Sequence, residues 1–216
     1  MPTTCRVSGC NKSTSGYSPL CPAHRSRKRR HGHEEQVTVS KTDLKPFIDN
    51  VHDRIAKQPG ASLWSVCDQR WDMLTDTLRD DPPKTIYRFV RSAMKELVRL
   101  KRSVSGRSVA VTTIAMYLHQ QHEPRRYRSE EAFRAQLVRR VRSLSDTSFA
   151  QWGGASDGRS RKAMKELEPR AVAYMANLLV ELFGPAGVKV AQLERRDQEE
   201  RQKVQTAFGA ALAEVN

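Results

Sequence analysis

The sequence predicts a mainly α protein, with a small N-terminal module built on cysteine and histidine followed by a helical bundle. Two observations carry this. Beyond residue 41 apolar residues recur every three or four positions in almost every segment, and strand-like alternation is nearly absent. Before it, Cys5, Cys10, Cys21 and His24 follow the pattern C-x4-C-x10-C-x2-H. With 38% apolar and 29% charged residues, the 216-residue chain has material for one substantial core and a stapled module.

The N-terminal spacing suits a metal. Two close pairs of soft or borderline ligands joined by a loop can surround one tetrahedral zinc ion, and four protein ligands leave no open position for substrate. A structural zinc is therefore expected, with His31 or His33 as alternatives to His24. Three clustered cysteines and no secretory signal argue against a disulfide framework. Gly9 permits a tight knuckle around the first pair. Cys21 is placed to cap a helix with Pro22 in its first turn, and Gly32 to end it. Arg25, Arg27, Lys28, Arg29 and Arg30 then lie on the helix's outer surface. A knuckle plus a helix-borne second pair is the layout of a treble clef or short zinc ribbon.

Cys5, Cys10, Leu20-Cys21, His24, the basic run Arg25 to Arg30 and His31-Gly32 together carry a resemblance. The segment resembles the small Cys/His zinc-binding module found beside HNH endonuclease cores and in DNA-binding proteins of bacteriophages. The resemblance covers about 30 residues and implies a zinc-dependent, nucleic-acid-binding module of phage or mobile-element type. The rest of the chain is outside it.

After a linker at 34–40, residues 42–57 carry Leu44, Ile48, Val51 and Ile55 on one stripe, with Pro46 in the first turn. Ser62 is placed to cap the next helix, whose apolar face includes Leu63, Cys67, Trp71, Leu74 and Leu78. Cys67 reads as packed core, the usual place of a free cysteine. Residues 84–102 form the clearest amphipathic helix. Ile86, Phe89, Val90, Ala93, Leu97 and Leu100 line one side, and Arg88, Arg91, Lys95, Arg99 and Arg102 the other, with only Glu96 among them.

A helix over 108–121 should turn Val111, Ile114, Ala115 and Leu118 inward. His119 and His122 lack the ligand set of a metal site. Arg125, Arg126 and Arg128 flank Tyr127 in a basic loop. Ser129 caps a helix to 144 with Glu130 and Glu131 in its first turn, Phe133, Leu137, Val141 and Leu144 inward, and Ala135, Arg139 and Arg142 outward. The three helices have the outline of a helix-turn-helix unit. Trp152 to Gly158 reads as a linker. Helical signals resume near 160, break at Pro169 and stop again at Phe183-Gly184-Pro185. The tail's Val204, Ala207, Phe208 and Ala211 are suited to dock on the body or on a second copy as a homodimer. The expected units are 1–36, the zinc module; 37–152, the basic helical domain; and 153–216, a C-terminal helical segment.

The net charge of +14 is unevenly spread: residues 1–36 carry +5 and 84–145 carry +11, while 37–83 carry −2 and 146–216 are balanced. A polyanion is the simplest partner. DNA is favoured over RNA because only Tyr17 and Tyr127 lie near the basic clusters, few for base stacking. An acidic protein is the competing partner. No membrane partner is expected, and a reducing interior is, the cytoplasm or nucleoid of a bacterial cell, infected if the phage resemblance holds. The histidines after Gly32 are not accompanied by the asparagine and acidic neighbours of an HNH core, and phosphate-loop, nucleophile-elbow and paired-carboxylate motifs are missing. The sequence thus points to a binding protein without catalytic residues.

Overall fold

The computed structural model describes residues 4–152 and 161–215. Seven α-helices dominate the described residues: α1 Pro22–His31, α2 Lys41–Lys57, α3 Ser62–Asp76, α4 Arg88–Ser103, α5 Gly106–His122, α6 Glu130–Arg142 and α7 Pro169–Val215. The mainly helical expectation holds.

The local signals that start and stop these helices are largely those in the sequence. Cys21 is the extended N-cap of α1, Pro22 follows, and Gly32 closes the helix at φ 80° with its N–H bonded to the Lys28 carbonyl. Ser40 and Asp43 form a reciprocal capping box on α2, so the helix begins earlier than expected and Pro46 falls in its second turn. Ser105 and Ser129 cap α5 and α6 through their side chains. Ser62 does not cap α3: Ala61 holds that position without a side-chain bond. The helix expected from residue 84 begins only at Arg88, because Pro82-Pro83 lead into a turn that the Ile86 N–H closes on the Pro83 carbonyl.

Helix α5 is the axis of the bundle, with α2, α3, α6 and α7 packed around it. The sequence suggested one inward face, but Val109 through Met116 are all buried. All but Met116 are small or β-branched, so neighbours approach from every side. The buried Thr113 hydroxyl donates to the Val109 carbonyl at 2.9 Å, which removes its need for solvent.

Two expectations fail downstream. Residues 161–164 are not helical: β1 Phe149–Trp152 and β2 Arg161–Met164 pair antiparallel, with Phe149 opposite Met164 and Ala150 opposite Ala163. The linker expected over Trp152 to Gly158 falls, beyond Trp152, outside the described residues. Nor does Phe183-Gly184-Pro185 stop a helix, since α7 runs through it. An interior proline costs about 3 kcal/mol. Packing offsets that cost here. Phe183 is fully buried and stacks on Trp71 at 6.4 Å, and the two glycines let α7 close on Tyr117. A Cβ on Gly187 would stand 2.5 Å from the Tyr117 ring.

By length and composition α7 could cross a membrane. Its apolar residues, among them Ala171, Met175, Leu179 and Phe183, are instead buried in the core shared with α4, α5 and α6. Val204 and Phe208 are not docked on the body; they are 69% and 66% exposed.

Candidate metal centre and its basic surroundings

The two halves of the N-terminal module converge because its backbone closes on itself. The Cys5 N–H bonds the Lys12 carbonyl, the Cys10 N–H bonds the Val7 carbonyl, and the Arg6 N–H bonds the Pro19 carbonyl, each at 3.0 Å. Gly9 takes the positive φ the knuckle needs, 74°. Helix α1 then brings His24 back over Cys21.

The result is a four-ligand cluster. One ligand atom from each of Cys5, Cys10, Cys21 and His24 lies within 4.8 Å of the others. Cys5 Sγ and Cys21 Sγ stand 3.4 Å and 3.5 Å from His24 Nδ1, and Cys10 Sγ is 4.0 Å from Cys21 Sγ. A tetrahedron at zinc–ligand bond lengths has sulfur–sulfur edges of about 3.8 Å and sulfur–nitrogen edges of about 3.5 Å. The residues therefore fit a tetrahedral ion, and all three cysteines are free thiols. His31 and His33 are turned to other partners: His31 Nδ1 meets Gln136 Nε2 at 3.1 Å, and His33 Nδ1 accepts the Glu35 N–H.

The electrostatics of the cluster also favour a cation. Burial pushes the Cys5 thiol up, but the amides of Cys21 and Val7 and the His24 ring bring it down to about 6. For Cys10 the Lys12 amide pulls down, yet burial and the neighbouring Cys21 and Cys5 leave it raised. One thiolate forms readily and discourages the next, a conflict that a bound cation relieves.

Of the basic residues singled out in the sequence, those of α1 are exposed, as expected. Arg25 reaches Ser15, Lys28 lies 3.7 Å from Glu34, and Arg29 and Arg30 share Glu166. Arg128 comes from a hundred positions later in the chain, yet it lines one surface hollow with Lys12, Cys10, His24 and Arg27. What brings it there is Gln36. This buried side chain accepts the Arg128 N–H at 3.1 Å and donates to the Arg126 carbonyl at 3.1 Å, so the expected linker is stapled to the loop before α6. Gln136 completes the staple by accepting the Val39 N–H. Both glutamines are buried, and only the tertiary fold shows which backbone groups they satisfy.

The second basic group is less free than its sequence implied. Lys95 pairs with Asp81, Arg102 with Asp80 and Arg99 with Glu96, and the adjacent Lys101 pairs with Asp76. The acidic stretch after α3 folds back on α4, a pairing no local spacing rule could reveal. Arg88 is exposed and Arg91 half-buried. In the loop, Arg125 is exposed, while Arg126 reaches toward Asp43 at 3.4 Å.

On α6 the expected faces are partly reversed. Arg142 and Ala135 are buried and Leu144 is 37% exposed, because α6 is covered by α1 and α7 as well as α5. Arg142 donates to Glu96, which also accepts from Ser148 at 2.8 Å. Burial alone would raise the Glu96 carboxyl, but Arg142 and Ser148 hold it below its ordinary value. Arg139 is half-buried, and its Nε has no hydrogen-bond partner. His119 belongs to the core, its Nδ1 paired with the Tyr127 hydroxyl at 2.8 Å. Cys67 is buried there too, as expected.

No family model, curated protein or solved structure matches the chain.

Proposed function

We propose that this chain is a non-catalytic nucleic-acid-binding protein that takes double-stranded DNA and whose contact module is folded by one structural Zn2+ on Cys5, Cys10, Cys21 and His24. The observation that carries the reading is the position of the ligand cluster at the base of α1. The same helix presents Arg25, Arg27, Lys28, Arg29 and Arg30 to solvent, and Lys12 and Arg128 stand beside it. Zinc is the metal favoured by a three-thiolate, one-imidazole set in a reducing cell. The resemblance to phage zinc modules makes a regulatory or accessory role in a phage or mobile element, within a bacterial cytoplasm, the matching context.

The preference for DNA over RNA gains support from the aromatics. Tyr127 is half-buried and its hydroxyl is engaged by His119, which leaves Tyr17 and, next to Arg88, Tyr87 as exposed aromatics near the basic residues, few for a base-stacking surface. The test is binding of a fluorescent duplex to the zinc-loaded full chain across a salt series. Affinity should fall steeply with log salt and yield to bulk DNA as competitor. Binding that ignores salt and competitor, or no binding at low salt, overturns the reading and leaves an acidic protein as the partner to seek.

A further inference from the structure

A cavity of about 470 Å³ opens where α1, α6 and the segment following β2 meet. Its floor is apolar, including Ala135, Val138 and Val172, and its walls are cationic. Arg29 and Arg30 come from α1, Arg139 from α6 and Lys165, whose ammonium donates to the Thr147 carbonyl at 3.0 Å, from the end of the hairpin. Arg142 also lines it but is already matched by Glu96. Among the described lining residues one acid remains, Glu166, with Oε1 2.6 Å from Arg30 Nε and Oε2 on Arg29.

This is an unbalanced arrangement for a structural ion-pair network. Four cations face one carboxylate, and that carboxylate is itself 44% exposed. The Arg139 Nε is buried without a partner, although its guanidinium stands near Arg142 and Arg30, two like charges. Burial and those cations hold Arg139 below its usual value, so the cavity as it stands disfavours its charge. An anion in the cavity would reverse that balance, and the apolar floor would strengthen each contact by excluding water.

We infer that this cavity is a phosphate-binding site, with Arg29, Arg30, Arg139 and Lys165 holding the anion and Glu166 acting as the counterion it displaces. Phosphate fits better than carboxylate because three guanidinium groups and an ammonium from three chain segments need several acceptor oxygens on one centre. The volume exceeds a single phosphate group and accommodates an adjoining sugar or a second phosphate. The phosphate could come from a nucleic-acid backbone, which rests on the function proposed above, or from a free phosphorylated molecule, which does not.

The test uses the zinc-loaded full chain and two probes, pyrophosphate by calorimetry and a short DNA duplex by fluorescence anisotropy. Arg139→Gln should weaken pyrophosphate binding roughly tenfold or more, the loss of a charge-assisted contact. Glu166→Gln should tighten it several-fold, the opposite sign from what loss of a structural salt bridge would give. If both substitutions move duplex affinity in the same directions, the bound phosphate belongs to nucleic acid. If they move pyrophosphate alone, the cavity serves a free phosphorylated ligand and the DNA reading loses this contact. If pyrophosphate does not bind, or if it binds and neither Arg139→Gln nor Glu166→Gln, which lies at the surface and leaves the core intact, moves its affinity, the site is overturned. The proposed function would then stand on the remaining basic residues.

Discussion

Arg142 Nε lies 2.6 Å from Glu96 Oε1 inside the bundle, with each side chain less than a tenth exposed. The pair links α4 to α6, and Ser148 joins it from the turn before β1. An arginine at helical spacing among surface arginines is here a core residue. Arg142→Ala should therefore act on stability, by up to about 3–5 kcal/mol, because it removes the buried cation and leaves the Glu96 carboxylate to Ser148 and the exposed Arg99. Denaturant unfolding checks this. A variant that unfolds like the parent but binds DNA more weakly would return Arg142 to the surface.

Metal removal should act locally. The purified chain is expected to carry about one zinc per molecule, set by the four-ligand cluster found among the described residues. Cys21→Ser should lose it and disorder α1, while the larger core around Trp71, Ile114, Phe133 and Phe183 persists. Metal analysis with circular dichroism and tryptophan fluorescence separates the two responses, since Trp64 and Trp71 report the bundle. Zinc-free protein with an ordered N-terminal module would contradict the assignment.

The two basic helices should differ in their salt response. Neutralising Arg25, Arg27, Lys28, Arg29 and Arg30 is expected to flatten the dependence of affinity on log salt by up to about 0.9 per lost contact. Neutralising Arg88, Arg91, Lys95, Arg99 and Arg102 should flatten it less, because three carboxylates, Asp80, Asp81 and Glu96, pair with that group, whereas two, Glu34 and Glu166, pair with the group on α1. Equal effects would mean that these ion pairs open on binding.

His31 sets a pH dependence. Burial and the neighbouring Arg139, Arg27 and Arg30 push its ring down to about 4. The unfolded chain then takes up the proton first, near pH 6.5, so stability is full above that value, declines as pH falls, and is lost by about pH 4. The NMR titration midpoint of the His31 ring should lie near 4, and His31→Asn should remove that part of the acid sensitivity. A midpoint near 6.5 would place the ring in water.

Gly187→Ala should have an inverted sign. In a free helix alanine is better than glycine by about 1 kcal/mol. Here the new Cβ would meet the Tyr117 ring at 2.5 Å, and overpacking of this kind costs about 1–3 kcal/mol. Thermal unfolding should show a loss, larger than for Gly184→Ala, whose Cβ would stand 3.0 Å from the Tyr117 hydroxyl. A stabilised Gly187→Ala would show that Tyr117 can move aside.

The helical class and the four clustered candidate ligands were legible because each depends on short spacings: apolar periodicity in one case, C-x4-C and C-x2-H in the other. Cys21 and Gly32 at the ends of α1 and Ser129 before α6 were legible as caps for the same reason, whereas Ser105 was not. What escaped depends on distant chain segments. Pro185 looked like a stop until Tyr117 was seen to sit against its flanking glycines. Lys95, Lys101 and Arg102 of α4 looked unpaired until the Asp76–Asp81 stretch folded over them. Gln36, Gln136 and Glu166 have no motif, and each acquires its role from a partner about 90 or more positions away.

The continuity of α7 has a hydrodynamic consequence. A helix of 47 residues rises about 70 Å, more than a compact domain of this size measures across. Its contacts with the body extend to Arg54 and His122, which engage Glu194, Asp197 and Gln198. Beyond them, residues 201–208 are exposed throughout, about 12 Å of helix standing clear of the body. The particle should sediment more slowly than a sphere of equal mass and tumble about two unequal axes. Amides near Phe208 would then relax differently from those of α5.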